Sequence, residues 1–206
     1  MDKNSEVAVR QNRGYTPNST LMENARALLK GKWGLCVGVT LVYLLITSAT
    51  NGANRFGGGL ISLVLGGPLT LGLSIFFLNI VRKKDVEFTN LFDGFNRFGV
   101  AFLAYILVAI FVILWSLLLI IPGIIAALSY SMTYYIIVDN DTIDAQTAIK
   151  KSKAMMNGHK LKLFYLGLNF LGWALLCILT LGIGFLWLFP YMGTSFALFY
   201  EDIKGN

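Results

Sequence analysis

The sequence predicts an all-α, polytopic membrane protein. Six transmembrane helices form three hairpins, and a short cytoplasmic amphipathic helix precedes each hairpin. Three observations predict this. Apolar residues make up 56% of the 206-residue chain and charged residues only 14%, against roughly a quarter charged in an ordinary soluble domain. The charges leave six long windows empty. Nearly all of them also fall on one side when those windows are threaded through a bilayer.

The windows are Trp33–Thr50, Leu60–Val81, Phe98–Ile121, Gly123–Val138, Leu163–Leu181 and Ile183–Tyr200. Each approaches the twenty or so apolar residues that a hydrocarbon core of about 30 Å requires. Residues 1–19 are polar and show no cleavable leader, so they read as a cytoplasmic tail before a single membrane domain over 20–203, with 204–206 as a second tail. The third and fourth windows run together from Gly99 to Val138 without a charge. One continuous helix there would be about 60 Å long, twice the hydrocarbon thickness. Pro122 and Gly123 therefore mark a hairpin turn, since proline is tolerated in a first helical turn. The run Leu181-Gly182-Ile183-Gly184 predicts a similar turn between the fifth and sixth windows.

Sixteen of the 17 basic residues then lie on one side: six before the first window, four after the second, five after the fourth and Lys204. Only Arg55 falls opposite. An excess of Lys and Arg marks the cytoplasmic side, which places both termini there.

The charged loops carry helical patterns. Leu21, Ala25, Leu28 and Leu29 share a face in 20–31, and Thr20 with Glu23 has the form of a capping box. Phe88, Leu91, Phe92 and Phe95 follow helical spacing, as do Ala145, Ala148, Ile149, Ser152 and Met156. The segments end in LLKG, LFDG and MMNG, so Gly31, Gly94 and Gly158 are expected to stop them in the left-handed conformation. This recurrence allows a weak threefold repeat. Such helices anchor hairpins in the headgroup layer, and Lys150, Lys151, Lys153 and Lys160 are candidate contacts for anionic lipid.

The inventory for chemistry is sparse. His159 is the single histidine, and Cys36 and Cys177 fall inside apolar windows. Asp139, Asp141 and Asp144 are spaced as cation ligands can be, but the glycine and distal glutamate of a calcium loop are missing and helix capping is the plainer reading. These features predict neither enzyme nor cofactor nor metal, and no nucleic-acid partner. The buried polar side chains are mild. Asn169, Tyr134 and Tyr130 are the candidates to line a cavity, with helix packing as the plainer role. Gly34 and Gly38 form a Gly-x-x-x-Gly face that suits contact within or between chains, so an oligomer is allowed. Trp33 is expected in the inner aromatic belt, and Trp115, Trp187 and Tyr191 in the outer one.

The stretches LLIIPGIIAALSYSMTYYIIVDN and AIKKSKAMMNGHKLKLF, then Gly172-Trp173, LWLFPY and Phe199-Tyr200, resemble a family of small bacterial integral membrane proteins. It is a domain of unknown function, number nine-seven-five, found mainly in Gram-positive bacteria. The resemblance implies a multi-pass plasma-membrane protein and supplies no catalytic residues. The expected function is non-enzymatic: binding lipid or a membrane-active peptide, or assisting another membrane protein. The alternative is a small transporter or permease subunit with a cavity between the hairpins.

Overall fold

A computed structural model describes residues 16–52 and 58–204. Most of the polar tail and Arg55 lie outside the described residues. Among the described residues nine α-helices follow in order: α1 (Asn18–Leu29), α2 (Trp33–Gly52), α3 (Gly58–Val81), α4 (Phe98–Leu118), α5 (Ile120–Tyr130), α6 (Thr133–Asp139), α7 (Ala145–Met155), α8 (Lys160–Leu179) and α9 (Phe185–Ile203). Two short 3₁₀ turns, Phe88–Leu91 and Asp93–Arg97, precede α4. There is no strand among the described residues.

Among the described residues five stretches are long and apolar enough to cross a membrane: Trp33–Thr50, Ile61–Val81, Phe88–Leu118, Ile120–Asp139 and Lys160–Leu179. Helix α9 has 19 residues but is not among them. Its Tyr, Thr and Ser residues and the Glu201–Asp202 pair dilute its hydropathy. It packs among α1, α2, α3 and α8, and Thr194 and Ser195 return their hydroxyl hydrogens to the carbonyls of Pro190 and Tyr191 at 2.8 and 2.9 Å. A helix sheltered in this way can carry hydroxyls that a lipid-facing one could not.

The long uncharged run is broken. Helix α4 ends at Leu118, Leu119 is extended (φ −164°, ψ 150°), and α5 starts at Ile120. The turn therefore falls three residues before Pro122, which sits in the first turn of α5, where a missing N–H costs nothing. Helices α4 and α5 lie against each other. A side chain at Gly123 would collide with Ser116, so glycine permits the close return. At the next hairpin Leu181 and Gly182 take positive φ (53° and 87°) and turn the chain from α8 into α9.

The loop segments depart from their expected form. Gly31 and Gly158 adopt the left-handed conformation (φ 79° and 83°), but Gly94 does not. The expected helix over 88–95 is instead two 3₁₀ turns, because this segment folds back on the middle of α3. A Cβ on Gly94 would strike the Pro68 carbonyl, and one on Gly72 would strike the Leu91 carbonyl. The expected capping box also fails: α1 begins earlier, at Asn18, with Pro17 as its uncapped start. Asp144 does cap α7, accepting from the Thr147 N–H at 3.0 Å. The Thr147 side chain and backbone hold this exposed carboxylate below its ordinary pKa. The apolar stripes of α1 and α7 are covered by protein: Leu21, Ala25, Leu29, Ala148 and Met156 are all buried in the main core.

The C-terminal ends of α3, α6 and α9, one from each expected hairpin, meet in one ion cluster. Arg82, just past α3, donates through Nη2 to Asp139 Oδ1 at 2.6 Å and through Nε and Nη2 to Glu201 Oε1 at 2.8 and 2.6 Å. Asp139 also accepts from the Tyr200 hydroxyl at 2.7 Å and pairs with Lys204 at 2.5 Å. Partial burial pulls the Arg82 pKa down, but its two carboxylate partners outweigh that and leave it above the ordinary value. Nearby, Asp202 accepts from Thr16 Oγ1 and Lys162 Nζ at 2.5 and 2.6 Å, which ties the start of the described chain to α8 and α9.

Two variants test the close backbone contact. Gly72→Ala is expected to destabilise the purified protein by about 1–3 kcal/mol, the usual cost of overpacking. Gly99→Ala, where a Cβ meets nothing within 4 Å, is expected to leave the thermal unfolding midpoint unchanged or slightly higher.

Candidate functional site: a lateral groove

The fourth apolar stretch is not one helix. Helix α5 stops at Tyr130 and α6 starts at Thr133, leaving a turn at Ser131–Met132. A break inside an apolar span frees backbone polar groups that must find partners. Local hydroxyls take some of them: Ser129 donates to the Ile125 carbonyl at 2.6 Å, Ser131 to Leu128 at 2.8 Å and Thr133 to Tyr130 at 2.7 Å. The rest of the repair comes from α7. Ser152 is fully buried, donates to the Ser129 carbonyl at 2.9 Å and accepts from the Met132 N–H at 3.2 Å. Ser152 acts as a splint across the break.

Beside the break lies a groove of about 520 Å³ between α5–α6 and α8, with α3 and α9 behind it. Ile124 and Leu128 form one wall, and Leu163, Phe164, Leu168 and Leu171 the other. Ile124, Leu168 and Leu171 are 43%, 42% and 54% exposed, so the mouth opens on the outside of the bundle. Thr70, Ser74, Ser131 and Tyr134 bring hydroxyls to the lining. The first three spend their hydrogens on backbone carbonyls. The Tyr134 hydroxyl is buried, has no partner among the described residues, and is closed off from the groove's open space. The groove thus offers apolar walls for a chain, with its hydroxyls engaged or sealed.

Tyr134 is the one expected cavity residue that the groove contains. Tyr130 instead packs at a tilt against Phe111, with ring centroids 5.9 Å apart, because the turn at 131–132 separates the faces of the two tyrosines. Asn169 is exposed on the far face of α8. It lies two residues from both Gly167 and Leu171, which line the groove, and two residues are about 200° of helical rotation. Lys150, Lys151 and Lys153 are exposed on α7, and Lys160 is half-buried. Lys151 turns toward the ion cluster, sharing a cleft with Asp139, Tyr200 and Lys204. The three aspartates do not converge: Asp139 is in the cluster, Asp141 lies 3.7 Å from Arg97, and Asp144 caps α7. No group of three or more His, Cys, Asp and Glu able to hold a metal occurs among the described residues.

A smaller pocket of about 150 Å³ lies between α2, α3 and α4, with Tyr43, Thr47, Thr50, Ser62 and Tyr105 in its lining. Thr70 borders both this pocket and the groove. The expected separation of aromatic belts does not hold either. Trp33, Trp187 and Tyr191 line a single pocket, because α1 lies along α9 and carries the start of α2 to it.

A bundle of apolar helices with a sideways-opening groove defines a multi-pass helical membrane protein. The family model described as Protein of unknown function (DUF975) matches residues 16–125 and 116–206. The chain belongs to that family. No curated protein and no solved structure matches it.

The splint makes a sharp prediction. Ser152→Ala leaves the Met132 N–H and the Ser129 carbonyl without their partner and is expected to cost about 1–3 kcal/mol. Thermal unfolding in detergent measures it. Lys153→Gln, one residue further along the exposed side of α7, is the control expected to change nothing.

Proposed function

We propose that this is a non-enzymatic protein of the bacterial plasma membrane. In this reading it crosses the bilayer six times as three hairpins, with both termini cytoplasmic, and it holds an apolar or amphiphilic ligand in the lateral groove. The groove carries the proposal: apolar walls and a mouth among exposed Ile124, Leu168 and Leu171. Walls of this kind suit an acyl chain. A membrane lipid is the first candidate. A membrane-active peptide would occupy the same groove through its apolar side chains, and a partner membrane protein would meet the groove at its exposed rim.

Transport is the second reading, and one observation favours it. The hydroxyl-lined pocket shares Thr70 with the groove, which would give a polar group a route between α2 and α3 while its chain stays in the groove.

Photoreactive acyl lipid in proteoliposomes tests the first reading. Cross-links are expected to concentrate on Leu128, Leu168 and their neighbours. Gly167→Leu is expected to reduce them several-fold, since Gly167 lines the groove with open space above it. Labelling spread evenly over the whole bundle, unchanged by Gly167→Leu, would sink the proposal. Labelled lipid that is bound but not moved between leaflets would reject transport.

A further inference from the structure

Nearer the start of α9 than the groove wall at Phe196, α1 lays a cation over aromatic rings. The Arg26 guanidinium carbon stands 5.0 Å from the Tyr191 ring centroid and 5.5 Å from that of Trp173. Trp33 and Trp187 complete the walls of a pocket of about 230 Å³ floored by Cys177 and Leu188. Three of the four tryptophans of the chain therefore gather at one place. Trp173 and Trp187 are 46% and 49% exposed, so the pocket opens outward.

Two features leave this pocket incomplete. Arg26 has no carboxylate within ion-pair distance among the described residues, unlike Arg82, Arg97, Lys162 and Lys204. Tyr191 is only 6% exposed; its hydroxyl oxygen faces the Arg26 guanidinium, and no described residue accepts the hydroxyl hydrogen. Position adds weight. Tyr191 lies ten residues along α9 from Glu201, about 15 Å at the helical rise, so Arg26 stands well away from the ion cluster and its carboxylates. A guanidinium lacking an anion, beside a buried hydroxyl that can donate, forms a fork suited to phosphate oxygens. The tryptophan rings suit the boundary between headgroup and chain.

We infer that Arg26, Tyr191 and the Trp33, Trp173 and Trp187 rings form a second lipid site, which takes the phosphate of an anionic phospholipid. Its lining has no residue in common with the groove, so it stands or falls separately. It also differs from the lysines of α7, which are on another helix.

Tryptophan fluorescence reads the site directly. The full-length protein, stripped of lipid, is titrated with phosphatidylglycerol or phosphatidylcholine carrying brominated chains. The wild type is expected to be quenched at about tenfold lower phosphatidylglycerol, the effect of one charge-assisted contact. Arg26→Gln should abolish the preference and Arg26→Lys keep part of it, while Lys84→Gln, at an exposed lysine outside both linings, keeps all of it. Should Arg26→Gln fail to fold, Tyr191→Phe replaces it and is expected to weaken phosphatidylglycerol binding several-fold. Equal quenching by the two lipids overturns the inference, as does a preference that survives Arg26→Gln or, in its place, undiminished binding by Tyr191→Phe. Inorganic phosphate that displaces the lipid at equal concentration would show a site for the free anion and overturn the lipid assignment.

Discussion

Arg82 holds this fold at a point that nothing local could supply. Helices α3, α6 and α9 come from separate stretches of chain, and apolar packing between them is non-directional. In lipid it is weaker still as a guide, since acyl chains are as apolar as leucine. The guanidinium fork fixes register. It engages Asp139 from one helix and Glu201 from another through parallel donors, and Tyr200 and Lys204 satisfy the second oxygen of Asp139. Once those ends coincide, the distances along α3 and α9 are set, and Gly72, Gly94 and Gly193 fall where close approach demands glycine.

The elements legible in the sequence are those governed by one dimension of the chain. Apolar windows gave the helices, and window length gave the break near Pro122. Charge scarcity gave the membrane class. What needed a partner was not legible. The stripes on α1 and α7 can be buried by headgroups or by protein, and spacing is the same in both cases. The aromatic pattern of 88–95 fits a helix, but the segment is forced into 3₁₀ turns by its approach to α3.

The groove was half visible. Tyr134 stood out as a polar group in an apolar window, and the serines around it signal a loosened helix. Asn169 stood out for the same reason yet faces away, because composition carries no azimuth. Ser152 was legible only in part: its place on the apolar stripe of 145–156 put it on the buried face, but spacing carries no sign of the broken helix it would bridge. Arg26 was counted only as a charge for orientation. Its pairing with Trp173 and Tyr191 depends on α1 running beside α9, which no local pattern encodes.

The ion cluster also has an implication for how the molecule is made. A ribosome delivers the chain in order, and Arg82 is separated from Glu201 by 119 residues and Thr16 from Asp202 by 186. Glu201, Asp202 and Lys204 emerge after the rest of the described helices. Until they do, the earlier helices can insert and pair but have nothing to clasp the ends of α3 and α6. The fastening step of assembly therefore belongs to the final turn of α9, and a chain that stalls before it leaves α1 to α8 inserted but unfastened.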